Sequence, residues 1–263
     1  MKVKHLSQVD IAPTIAHMLG IRLPEPDGRL IDEVEGWRCQ NAILVIVDSL
    51  GYDLYRWLEP ELKNISALAK HGLILRAKAV SNHTSPAIAS ILSGLLPEHH
   101  GIFDTESAKR SPILSIPEIA SSAGLRSAVI MEKGGAEIYE GLIEFIGAVP
   151  RTLSPPEFDR EICRLSLEAL SSNPRLLVSY FIGIDKAAHN DLSSDGFKEA
   201  ALAIDNCVGE IAGAAQPGTM IVVVGDHPIH AGQFKRTHDP YCVALIIGGM
   251  VLAPNDLMLP VSD

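Results

Sequence analysis

Three aspartates close apolar runs in this chain. Asp48 ends "AILVIVD", Asp185 follows "LLVSYFIGI", and Asp226 follows "MIVVVG". A single aspartate at such a place usually caps a helix or holds a loop. Three on one edge of a sheet would repel one another unless a cation held them together. Histidines stand beside them: His189 comes four residues after Asp185, one helical turn on; His227 adjoins Asp226; His238 lies in "KRTHDP". Asp and His together suit zinc and other transition ions. Three carboxylates plus a threonine alkoxide would roughly balance two divalent ions. That alcohol is in "SNHTSPAIASILSG", residues 81–94, where Thr84 and Ser85 directly precede Pro86. Proline belongs in a first helical turn and a hydroxyl just before it. A hydroxyl there either caps the helix or does chemistry, and the residue types alone leave both open.

The elements that must position these groups are legible as runs. "AILVIV" (42–47), "LLVSYF" (176–181) and "MIVVVG" (220–225) read as strands covered on both faces, with weaker strands at 127–131 and 243–247. Helical stretches at 60–71, 86–95, 116–123, 157–171 and 195–213 lie between them. The alternation predicts a three-layer α/β/α sandwich with a mainly parallel central sheet. Function in such sheets collects beyond the carboxyl ends of the strands, where Asp48, Asp185 and Asp226 fall. No repeat or low-complexity tract divides residues 1–263, which read as one domain.

The formal net charge of −10 argues against binding a nucleic-acid duplex. It leaves open a small phosphate ester whose charge metal ions would meet. The four cysteines, Cys39, Cys163, Cys207 and Cys242, lie far apart without a CxxC pair and read as buried reduced thiols. The first residues carry no continuous apolar core of a signal peptide, and no apolar run is long enough to span a membrane. A soluble, cytoplasmic protein is the expectation.

Taken in order, "VIVDSLGYD", "HTSPAIASILSGLLPEHHGI", "YFIGIDKAAHND", "VVVGDHPIH" and "THDP" resemble the alkaline phosphatase superfamily. The resemblance is strongest to its nucleotide pyrophosphatase/phosphodiesterase and phosphonoacetate hydrolase branches. It implies an alkaline phosphatase-like core holding two divalent metal ions, zinc first, with Mn2+ or Fe as alternatives. Asp185, His189 and His238 would hold one ion, and Asp48, Asp226 and His227 the other. Thr84 would approach both as the nucleophile, and Ser85 would support the turn. The implied reaction is hydrolysis of a phosphoric ester through a phosphothreonine intermediate, cleaved in turn by water. Metal coordination is what makes a weakly acidic hydroxyl competent for such attack.

The resemblance also implies a rearranged order. "LSQVDIAPTIAHMLGIRLPEPDGRLIDEV", residues 6–34, is similar to a segment that relatives carry after the last histidine motif, so a circular permutation with adjacent termini is expected. The chain departs from the family at Ala87, where relatives carry Asn, and at Ala188, where Gly is common. Residues 102–175 leave little room for a large cap domain, so the pocket would be open or completed by another copy of the chain in a homo-oligomer. Asn82, Lys133 and His230 are candidate substrate contacts. His99 and His100 are expected to fix the turn after the nucleophile helix, and Asp205 to be structural. Phosphomonoesters and phosphonates are the alternative substrates, and a non-catalytic metal-binding scaffold is the alternative class. A sulfatase is disfavoured, because the Cys/Ser-x-Pro-x-Arg signature of that branch is missing from Thr84-Ser85-Pro86-Ala87-Ile88.

Overall fold

The computed structural model describes residues 6–236 and 238–249. Seven strands form one sheet: β1 (Asn41–Val47), β2 (Leu73–Lys78), β3 (Ser127–Glu132), β4 (Phe145–Val149), β5 (Leu176–Phe181), β6 (Thr219–Gly225) and β7 (Cys242–Gly249). Their order is β2-β7-β6-β1-β5-β3-β4, with β7 antiparallel to both neighbours. The expected mainly parallel sheet is present. The helices are α1 (Ile11–Leu19), α2 (Tyr52–Leu58), α3 (Lys63–Lys70), α4 (Thr84–Ser93), α5 (Pro97–His100), α6 (Thr105–Arg110), α7 (Ile116–Ser122), α8 (Lys133–Ala136), α9 (Pro155–Leu170), α10 (Gly183–His189) and α11 (Ser194–Ala214).

The strands are apolar throughout because side chains alternate between two covered faces. On β1, Ile43, Val45 and Val47 join the layer containing Leu54, Ile65, Phe158, Ile162 and Phe197. Ala42, Leu44 and Ile46 point the other way, into a layer with Ile11, Ile15, Ile91 and Ile116. Residues from α1 thus belong to the core. Gln8 ties this segment to two others: its side-chain amide donates to the carbonyls of Gly225 (2.8 Å) and Asp226 (2.5 Å), and its Oε1 accepts from Val80 N (2.9 Å). The join between the two ends that a permuted order needs lies outside the described residues.

Register brings the strand ends level. Val47 is opposite Phe181 on one side and Gly225 on the other, so Asp48, Ile182 and Asp226 leave the sheet together. A close approach follows at Gly225: a Cβ there would overlap the Leu50 carbonyl oxygen. Only glycine lets the turn after β1 lie against β6.

One expectation is overturned. Cys163 and Cys207 are not free thiols but a disulfide joining α9 to α11, with Cα atoms 5.7 Å apart. The two helices pack side by side, a juxtaposition hidden by 44 residues of separation. Cys39 and Cys242 are free but half-buried rather than buried. Asp205 is structural, as expected: it accepts from the backbone N–H groups of Asn64 and Ile65 at the start of α3. His100 fixes the turn after α4, with Nε2 3.0 Å from Ser90 Oγ and Nδ1 accepting from Ile102 N. No described helix is long and apolar enough to cross a membrane.

Candidate active site

The helix carrying Thr84 starts two residues earlier than the sequence suggests. Thr84 is its first residue and His83 its N-cap, so both hydroxyls sit within the first turn rather than before it. Pro86 is tolerated because an N–H there would lack an intrahelical partner. No side chain caps this end, which leaves it turned to the site with its positive dipole end.

Across from it, Asp48, Asp226 and His227 converge, with ligand atoms within 4.8 Å of one another. His227 Nε2 lies 3.1 Å from Asp48 Oδ1, 3.6 Å from Asp226 Oδ2 and 3.4 Å from Thr84 Oγ1. The other imidazole nitrogen, Nδ1, is 3.1 Å from the Pro228 carbonyl, an acceptor only. That contact keeps a proton on Nδ1 and turns Nε2 toward two carboxylates and the hydroxyl, so that Nε2 becomes a lone-pair ligand once it loses its own proton. Tyr180 donates to Asp48 Oδ2 at 2.5 Å. The backbone N–H groups of Ser49 and His227 donate to Asp226 Oδ1 at 3.0 and 2.7 Å. The outer oxygens are thereby used up, while Asp48 Oδ1 and Asp226 Oδ2 stay buried and face only His227 Nε2. Acceptors that face one another without a donor are costly unless a proton or a cation lies between them. This donor set fits a divalent metal ion.

The electrostatics of the bare protein point the same way. Burial and the charge of Asp48 push the Asp226 carboxyl up to about 8. Burial pulls His227 down, but the charges of Asp226 and Asp48 prevail and lift it to about 9. Burial also works to raise Asp185, yet the hydrogen bond and charge of Lys186 hold that carboxyl below its ordinary range.

Asp185 sits in the first turn of α10. His189, one turn on, has Nε2 3.4 Å from Asp185 Oδ1 and is more exposed. Asp185, His227 and His230 form a second group of converging ligand atoms, and His230 Nδ1 is also buried without a partner. His230, read from the sequence as a substrate contact, therefore stands at a ligand position beside Asp185. His238 is in neither group. Its Nδ1 lies 3.0 Å from the Phe234 carbonyl and its ring packs on Phe234, which in turn packs on Trp57 and Phe197. Of the other substrate candidates, Asn82 lines the cavity above Thr84, whereas Lys133 is exposed and paired with Glu137 at 3.6 Å.

Sequence reasoning missed Ser49. Its φ of 64° places it in the left-handed region, uncommon for a residue with a Cβ. The reversal lets its N–H reach Asp226, its hydroxyl donate to Asp185 Oδ1 at 2.9 Å, and its Oγ lie 3.3 Å from His227 Nδ1. One residue orients side chains from both ligand groups. Ser49→Ala is expected to weaken zinc binding about 10- to 100-fold, measured by competition with a chelator of known affinity; unchanged affinity would remove Ser49 from the site. Asp159 on α9 was also missed. It is buried and accepts from Ile182 N and Gly183 N, both at 2.9 Å, which anchors the start of α10. Burial pushes its carboxyl up to about 7.

Two family models, both of the alkaline phosphatase superfamily, match overlapping parts of this chain. The Sulfatase family model matches residues 40–147, and that of Type I phosphodiesterase / nucleotide pyrophosphatase matches residues 116–240. Among solved structures it is similar to phosphonoacetate hydrolase from Sinorhizobium meliloti in complex with phosphonoacetate, at 16% identity and a TM-score of 0.58, covering 72% of this chain and 56% of that one. It is also similar to a putative sulfatase from Bacteroides thetaiotaomicron, at 13% identity and a TM-score of 0.61, covering 80% of this chain and 64% of that one. A third is the murine ectonucleotide pyrophosphatase / phosphodiesterase 5, at 16% identity and a TM-score of 0.52, covering 72% and 57%. At these identities the likeness is one of fold, and the chain spans a little over half the length of the hydrolase. No curated protein matches by sequence.

Proposed function

We propose that this protein is a metal-dependent hydrolase of phosphoric esters, of phosphodiesterase type, with Thr84 as nucleophile. What carries the reading is the pair of buried oxygens, Asp48 Oδ1 and Asp226 Oδ2, that face only His227 Nε2, on the same side of the ring as the Thr84 hydroxyl. Asp48, Asp226 and His227 would hold one divalent ion, and Asp185 with His189, His230 or His238 a second. Bound there, zinc or a similar ion would supply the positive charge that favours the threonine alkoxide and offsets charge on the phosphoryl oxygens.

The chain's own groups do the rest. The open N-terminus of α4 orients a phosphoryl oxygen with its dipole and N–H groups. Thr84 Oγ1 gives up its proton to solvent and forms a bond to phosphorus as the bond to one alcohol breaks, and the departing oxygen takes up a proton from solvent. Water then attacks this threonyl phosphodiester, which still carries the second alcohol; the bond from phosphorus to Oγ1 breaks, the phosphomonoester leaves, and the proton that water loses restores the hydroxyl. Tyr180 and Ser49 hold Asp48 and Asp185 in fixed rotamers throughout. Ser85 sits in the same turn without a contact to His227 and is assigned no step.

A panel of bis-p-nitrophenyl phosphate, p-nitrophenyl phosphate and phosphonoacetate, each with added zinc, tests the reading. The diester is expected to show the highest kcat/KM. A preference for the monoester or the phosphonate would move the assignment to that branch. Tight zinc binding with no turnover of any would make the protein a metal-binding scaffold.

A further inference from the structure

The cavity that contains Thr84 continues well past the reacting groups. It has a volume of about 810 Å3, at the large end of the range for sites that enclose a drug-sized ligand. Its floor is one face of α4. Thr84, Ile88 and Leu92 recur at four-residue intervals and all line it, so the nucleophile's own stripe runs on as apolar surface for about 12 Å. The far wall is aliphatic too, with Ile113, Met131, Ile138 and Leu142.

Away from the groups that would hold the ions, the charges favour no second anion. There the cavity is lined by two carboxylates, Glu118 and Glu132, and by three cations. Each cation already has an acid beside it: Lys186 with Asp185 at 2.9 Å, Arg151 with Glu132 at 2.9 Å and Lys109 with Glu106 at 3.7 Å. Beyond the ions, a second phosphate group, as in a nucleotide pyrophosphate, would meet only cations that are already paired. The wall is apolar instead: Leu142 lines the cavity and is still 49% exposed. A large side chain left in water on a cavity of matching character marks a surface that an apolar ligand covers.

From these observations we infer that the substrate is an amphiphilic phosphoric ester, with its phosphoryl group at Thr84 and a long alkyl chain laid along α4 toward Ile138 and Leu142. This rests on the phosphoryl site proposed above and narrows it to esters of long-chain aliphatic alcohols.

The test compares binding of methylphosphonate, octylphosphonate and thymidine monophosphate to the full chain loaded with zinc, by calorimetry. Octylphosphonate is expected to bind at least about 100-fold more tightly than methylphosphonate, because each buried methylene adds to affinity until the cavity is filled. Ile138→Asn, at a half-buried position, should cut that ratio at least tenfold. Octyl and methyl compounds within threefold of each other, no binding of either, tighter binding of the nucleotide, or an unchanged ratio in the variant would each overturn the inference. Parallel turnover of octyl and methyl p-nitrophenyl phosphates separates the two proposals. Chain-length-dependent binding without hydrolysis sinks the hydrolase reading and leaves the apolar arm standing; hydrolysis with no gain from the chain does the reverse.

Discussion

Thr84→Ala should lose at least about four orders of magnitude in kcat, as removing a covalent nucleophile does elsewhere, with little change in melting temperature. Thr84 is only half-buried and belongs to neither core layer. Ser85→Ala, one residue on in the same turn, should stay within about tenfold of the parent, the range expected for a group that orients without reacting. The contrast matters more than either value. Both hydroxyls share the helix terminus, so a general loss of electrostatic support would affect them alike. Only Thr84 reaches His227 Nε2, at 3.4 Å. Mass spectrometry of the enzyme quenched during turnover of the diester should find a phosphoryl group bearing the retained alcohol on the peptide containing Thr84. Full activity in Thr84→Ala would remove the centre of the mechanism.

The second large effect concerns zinc and pH together. Zinc at about 100 times its dissociation constant should add about 2.7 kcal/mol to the unfolding free energy, a rise of roughly 5–10 °C in melting temperature for a chain of this size. Without zinc, stability should fall as pH rises. Asp226 keeps its proton up to about 8 in the folded state, whereas an unfolded aspartate loses it near pH ~4. Between those values the unfolded chain binds fewer protons than the folded one, so stability decreases with pH. His227 acts with the same sign. Its folded value of about 9 exceeds that of a free imidazole, so the stability it lends is complete below about pH 6.5 and disappears as pH climbs through 9. The bare protein should therefore melt at a higher temperature at pH 6 than at pH 9. Zinc should reverse the order, because ligands bind it only after losing their protons. Asp226→Asn should weaken both trends. Scanning calorimetry with and without a chelator reads all of these, and a metal-free protein more stable at pH 9 than at pH 6 would contradict the arrangement of buried charge.

The central strands were legible because β1, β5 and β6 are covered on both faces and must be apolar at nearly every position. For the same reason the aspartates just beyond them stood out as the first residues that could not be core. The edge strands β2 and β4 did not stand out, since "LILRAK" and "FIGAV" are partly exposed and mix residue types. Ser49 was invisible because its role depends on a left-handed backbone and on partners more than a hundred residues away. His230 and His238 both follow Asp226 within a dozen residues. Spacing alone could not say that His230 comes beside Asp185 while His238 packs against Phe234. The link between Cys163 and Cys207 was equally hidden, since it depends on how two amphipathic helices lie across one sheet.

Gln8 has a consequence for how this protein tolerates change. Its single amide grips the backbone where β6 delivers Asp226 and also the backbone at Val80, shortly before Thr84. Substitutions on those two otherwise separate stretches should show epistasis with each other while Gln8 is present, and become additive once it is replaced.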